Sequence, residues 1–166
     1  AGKFVVAYYD FNNLNYGTAI VGTISGTSIT VGSEYVFNSA QSNYPIVTYD
    51  PNTANKFVIT YRDNGNSSYG TAIVGTVSGT SISFGSEIVF NSATPSASFD
   101  PNTAGKFVVA YKDTDGYGKA IVCQMAAVLI TTNLTSTNFV GITSKAIADT
   151  ATGSITLQGG LSTNQS

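Results

Sequence analysis

Apolar and polar residues alternate along Lys3–Asp10 so that Phe4, Val6 and Tyr8 share one face of an extended segment and Val5, Ala7 and Tyr9 the other. This pattern predicts a strand. The first face recurs as Phe57, Ile59 and Tyr61 and again as Phe107, Val109 and Tyr111, whereas the second ends in Tyr9, Arg62 or Lys112. Phe57, Ile59, Tyr61 and their counterparts are therefore expected in the core, with Tyr9, Arg62 and Lys112 more exposed. The next predicted strands begin at Tyr16, Tyr69 and Tyr117, as YGTAIVGT, YGTAIVGT and YGKAIVCQ. Both of their faces are small or apolar, as in strands interior to a sheet. No helical period is sustained anywhere in the chain.

These segments belong to a repeat. Lys3–Ala40 is rewritten as Lys56–Ala93 with every residue displaced by 53 positions, and KFVVAYKDTDGYGKAIV restarts at Lys106, 50 positions after Lys56. Each first strand ends in an aspartate, Asp10, Asp63 or Asp113, followed by a polar loop in which Asn and Asp suit the turn and Gly65 and Gly116 are expected at positive φ. SGTS then turns the chain into SITVGSEYVFNSA or SISFGSEIVFNSA, where Gly32 and Gly85 mark bulges or bends. Between the copies, NYPIVTYDPNTAN and TPSASFDPNTAG each hold a short strand before Asp-Pro-Asn-Thr, a turn in which Pro pre-sets φ. One copy thus reads as a four-stranded antiparallel meander: PIVTYD, KFVITYRD, YGTAIVGT and SISFGSEIVF.

The predicted fold class is all-β, built from antiparallel four-stranded repeats of about 50 residues that look like β-propeller blades, with a small C-terminal β module. Residues 1–127 form the repeats: 1–43 a partial copy, 44–93 a complete one and 94–127 a second partial one. Residues 128–166 are a Thr-rich module with strands expected at Phe139–Ala146 and Gly153–Gln158, and the pattern reads as truncated at Ser166. Fewer than three full blades do not close a propeller. Missing blades, several chains sharing a ring and open stacking all fit.

Charged residues make up only 10% of the chain, so Ser, Thr, Asn, Gly and Tyr must cover much of the surface. Seven Lys and Arg, spread singly, give no basic stripe for phosphates, and nucleic acid is not an expected partner. No apolar run is long enough to predict a membrane span. With Cys123 as its one cysteine and no His, the chain holds no disulfide scaffold and no Cys/His metal cluster. No cofactor is expected.

The units around KFVVAYKD, YGTAIVGTVSGTSISFGSE and VFNSA resemble the propeller-type repeats of large surface proteins from marine bacteria and their phages. The segment NFVGITSKAIADTATGSITLQGG is similar to a small β module of virion structural and tail-fibre proteins. The resemblance implies a virion or an extracellular, cell-surface location and a structural or recognition role. It fixes no functional residue.

Catalysis is not expected. Asp10, Asp63, Asp113, Asp50 and Asp100 occupy repeat-equivalent turn positions, and without His or an Arg cluster neither a triad nor an anion clamp can be assembled. Asp113-Thr114-Asp115-Gly116 has the flavour of a calcium loop but lacks a bidentate Glu, so Asp113 and Asp115 are weak Ca²⁺ candidates and a plain turn is the favoured reading. The expected function is a non-enzymatic virion or secreted surface protein, such as a phage tail fibre or decoration, that binds copies of itself and a cell-surface glycan. A purely architectural self-assembling filament or capsid component is the alternative, and a glycan-active propeller enzyme ranks third. The loop after the first strand differs most among the copies, which makes Asn12, Asn13, Asn64, Asn66 and Asp115 the candidate contacts.

Overall fold

A computed structural model describes residues 2–90, 94–125, 155–156 and 162–163. The chain divides into two compact units, Ala1–Ala127 and Val128–Ser166. The first is all-β, with strands β1 (Gly2–Asp10), β2 (Tyr16–Ser25), β3 (Ser28–Tyr49), β4 (Lys56–Asp63), β5 (Tyr69–Ser78), β6 (Ser81–Phe90), β7 (Ser96–Phe99), β8 (Lys106–Lys112) and β9 (Gly118–Gln124). All pairings are antiparallel. Strands β1 to β6 follow one another in a six-stranded sheet, and β7, β8 and β9 form a second sheet of three. Neither closes into a barrel or ring among the described residues. In the second unit β10 (Ile155–Thr156) pairs with β11 (Ser162–Thr163). The strand expected at Phe139–Ala146 lies outside the described residues.

The local chemistry sets these elements. Two-residue loops join β2 to β3 and β5 to β6, with Gly26 and Gly79 at φ 60° and 63°, where a side chain would be strained. Further on, Val31 pairs with Gly22 and Glu34 with Ile20, so Gly32 and Ser33 together oppose Val21; Gly85 and Ser86 do the same opposite Val74. These are the bulges the glycines mark in the sequence.

Strand β3 departs from expectation. The separate strands read from SITVGSEYVFNSA and PIVTYD are one continuous element of 22 residues. Its first part pairs with β2 and its last part with β4. The change of partner falls where Tyr44 adopts φ 54° and the β4 register skips from Asn43 to Ile46. There the sheet folds over on itself. Val5, Ala19, Val21 and Phe37 of the first half pack against Phe57, Ile59, Tyr61, Ile73, Val77 and Ile82 of the second. Phe37 meets Tyr61 edge-on at 5.0 Å between ring centroids.

The three-stranded sheet covers the opposite side of the second half. Phe99, Phe107, Val109 and Cys123 pack on Val58, Ala72 and Phe90. Phe57, Ile59 and Tyr61 are buried as expected, and Phe107 and Val109 with them. The second face is not simply an outer one, however: Val58 and Thr60 are fully buried because another sheet lies over them. In the first copy Val6, the counterpart of Ile59, is exposed, since among the described residues nothing stacks on that side. Tyr9 and Lys112 are exposed and Arg62 is half-buried.

Candidate functional site at the loop end of the sheets

The connections β1–β2, β4–β5 and β8–β9 lie at one end of the stacked sheets. The first two are joined through the turning segment of β3, since the Ser42 amide donates to the Asn15 carbonyl and the Asn64 amide to the Gln41 carbonyl, at 3.1 and 2.9 Å. The third is placed by Tyr111, near the end of β8, whose ring stacks on Phe90 at 5.9 Å; Phe90 in turn pairs with Gly70 at the start of β5. The Asp-Pro-Asn-Thr turns occupy the other end, where Asn52 donates its side-chain amide to the Asp100 carbonyl.

Each loop is closed by its leading aspartate. Asp10 accepts from the Asn12 amide at 2.9 Å and Asp63 from the Gly65 amide at 2.9 Å. Asp113 accepts from the Thr114 amide at 2.7 Å and pairs with Lys119. That ammonium, together with the Thr114 amide, holds the Asp113 carboxyl below the usual carboxylate range, and the carboxylate raises Lys119 in return. These carboxylates do the work of turn closure. A bound cation at Asp113 would compete with Lys119, and among the described residues no three His, Cys, Asp or Glu side chains come together as a metal group. Asp115 sits exposed in the tight Asp113–Tyr117 turn, where the Asp113 amide donates to the Tyr117 carbonyl at 2.8 Å.

Positive φ falls elsewhere than on Gly65. The left-handed residues are Leu14 and Asn15 in the first loop and Ser67 and Ser68 at the equivalent places of the second, while Gly116 takes that role in the third. Gly65 serves a different need, because a Cβ there would run into Ala40 of the turning segment.

Asn12 and Asn13 lie in a single 3-10 turn, Phe11–Asn13. Asn64 accepts at its side-chain oxygen from the Ser68 hydroxyl at 3.3 Å, and Asn66 is fixed through its backbone, donating to the Asp63 carbonyl and accepting from the Tyr69 amide. The four asparagines thus belong to neighbouring loops joined by β3, and Asp115 to the third loop at the same end. Around them stand exposed aromatic rings that the sequence reading did not name as contacts: Tyr9, expected there only to be exposed, and Phe11, Tyr44, Tyr69 and Tyr117, with exposed Leu14 three residues after Phe11. Phe11 is marked in the sequence by its place in the loop FNNLN, whereas Tyr69 and Tyr117 open predicted strands and are marked by their exposure alone. An end carrying amide groups and open rings can hydrogen-bond and stack against a flat polar ligand.

No described helix is long and apolar enough to cross a membrane. Comparisons with protein-family models, with curated proteins and with solved structures gave no match.

Proposed function

We propose that the chain is a non-enzymatic structural and recognition component of a virion, such as a tail fibre or decoration, or of a secreted surface protein. Its 50-residue units act as propeller-like blades, and its loop end contacts cell-surface glycan. The observation that carries this reading is the exposure of Tyr9, Phe11, Tyr44, Tyr69 and Tyr117 at the end where the asparagine loops meet. Open rings suit the apolar faces of sugars, amides suit their hydroxyls, and weak sites repeated along an array gain by avidity. Asn12, Asn13, Asn64, Asn66 and Asp115 are the proposed polar contacts. The test is a glycan array probed with the intact chain and with a variant in which Asn12, Asn13, Asn64 and Asn66 are all Ala. Binding by the wild type and its loss in the folded variant supports the reading; equal binding by both moves the site off these loops.

A second reading, a purely architectural filament or capsid component, is favoured by the apolar side chains left open on the first copy, Val6, Ile24, Ile29 and Val31. Electron micrographs of the purified chain separate the two, with discrete particles supporting recognition and continuous filaments supporting architecture.

A further inference from the structure

The three copies present two kinds of sheet face, and the pairing between them is written twice inside the molecule. The front face of the second copy, formed by Phe57, Ile59, Tyr61, Ile73, Val77, Ile82 and Phe84, is covered by the back face of the first, formed by Val5, Ala7, Ala19, Val21 and Phe37. The front face of the third, Phe107 and Val109, is covered in the same sense by the back face of the second, Val58, Ala72 and Phe90. A front always receives a back.

Two faces remain without a partner among the described residues. The front of the first copy carries the same kinds of side chain as the front of the second, yet stands open: Val6 is 43% exposed where Ile59 is 0%, and Ile29 is 62% exposed where Ile82 is 6%. Ile24 and Val31, the counterparts of Val77 and Phe84, are exposed on the same face. At the other end of the stack the back of the third copy offers Val108, Ala110, Ala120 and Val122. Residue for residue these are the Val5, Ala7, Ala19 and Val21 that cover the second copy's front. Val122 is 66% exposed where Val21 is 0%.

We infer that the partner of the open front face is a second copy of this chain, seated by the back face of its third repeat, so that chains associate head to tail. The inference rests on the second reading, that of a self-assembling component, and names the faces that assemble. The contact is heterologous, so its repetition gives a closed ring or an open filament according to the rotation it imposes. The occupant is chosen by the match of four side chains to the set that already buries this kind of front face. Lys106 and Lys112 flank the four on the back face and Glu34 lies on the front, so the contact is apolar at its centre and charged at its margin.

Sedimentation of the full chain tests this with two variants at exposed positions, Ile29→Lys on the front and Val122→Lys on the back, each checked for strand content by circular dichroism. Val6→Lys and Val108→Lys replace either one should it fail to fold. The wild type is expected to grow in mass with concentration. A lysine buried without a partner should weaken self-association by at least about 100-fold in either variant alone. Mixed together, the two variants should form a 1:1 complex that grows no further, because one retains its back and the other its front. A wild type that stays monomeric at about 1 mM overturns both the inference and the assembling role. If the wild type assembles and both variants assemble equally well, the faces are wrong while assembly stands. Loss of association in only one variant would mean like faces meeting, which also overturns the head-to-tail arrangement. Glycan binding by the monomeric variants remains measurable throughout, so the recognition reading is judged separately.

Discussion

The Asp50 carboxylate accepts a hydrogen bond from the Gly105 amide at 2.8 Å, across 55 residues of sequence, while its other oxygen accepts from the Asn52 amide at 2.8 Å. One buried side chain thus closes its own turn and clamps the equivalent turn of the next copy, where Gly105 sits at φ 72°. Asp50→Ala removes an ionised acceptor from two backbone amides, and hydrogen bonds to charged groups contribute about 1.5–3 kcal/mol each. The expected loss is about 2–4 kcal/mol on the same basis, read as a lower urea midpoint. Asp100 accepts from the Asn102 amide and stands near half-buried Lys106, and Asp100→Ala should cost clearly less.

Acid should act through these turns. Burial pushes the Asp50 carboxyl up, but hydrogen bonds from the Thr53 side chain and from the Asn52, Gly105 and Thr53 amides outweigh it and leave the group below its ordinary 3.8. Asp100 and Asp113 are lowered as well, chiefly by the Asn102 amide and by Lys119 respectively. A lowered folded-state value means that the unfolded chain binds protons first, so the stabilisation is full above the ordinary carboxylate range and is lost as pH falls below it. Urea midpoints should be level for these groups from about pH 6 to 5 and fall steadily toward pH 2. Asp50→Asn should flatten that slope; an unchanged slope would remove Asp50 from the account.

Alkali should act through the tyrosines. The Tyr61 phenol is pushed well above its ordinary 10.0 by burial and by its 2.6 Å hydrogen bond to Glu87, and Tyr8 is raised in the same way with Glu34. Groups raised on folding stabilise below their unfolded value, and that contribution is lost as pH rises past about 10. Absorbance at 295 nm should therefore show a set of phenols that ionise only when the chain unfolds. Tyr61→Phe should delete one of them and cost about 1–2 kcal/mol, because the Glu87 carboxylate, being exposed, regains water.

Much of the fold is legible in the sequence because its causes are local. Period-two alternation places Phe57, Ile59 and Tyr61 on one face, and Asp before a polar loop gives the Asn12 and Gly65 turn contacts. What escapes is non-local. The unbroken β3 depends on Tyr44 accepting φ 54°, which an aromatic residue rarely does and no propensity announces. The burial of Val58 and Thr60 depends on which sheet lies above them, and alternation alone cannot tell a solvated face from one that meets a neighbour. At the loop end the asparagines stand out by their variation, but Tyr44, Tyr69 and Tyr117 read as ordinary strand residues until their exposure is known.

Two glycines offer the last expectation, since they share a chemistry and differ in surroundings. Gly22 pairs with Phe4 and Gly75 with Phe57, and in each case the ring lies where a Cβ on the glycine would stand. In the third copy the same position is Cys123 opposite Phe107, so a side chain there is compatible with the fold if the ring is placed for it. Phe57 has no such freedom. It is fully buried, tilted against Tyr49 at 5.7 Å and edge-on to Phe84 at 6.4 Å. Gly75→Ala should therefore force a packed ring aside and cost about 1–3 kcal/mol, the usual penalty for overfilling a core. Phe4 lies on the open front face beside exposed Val6 and can swing toward solvent, so Gly22→Ala should cost under about 1 kcal/mol. Thermal or urea unfolding of the two single variants decides it: equal losses would mean that Phe4 is held as tightly as Phe57, as it would be if another sheet already covered the front face under the conditions of measurement.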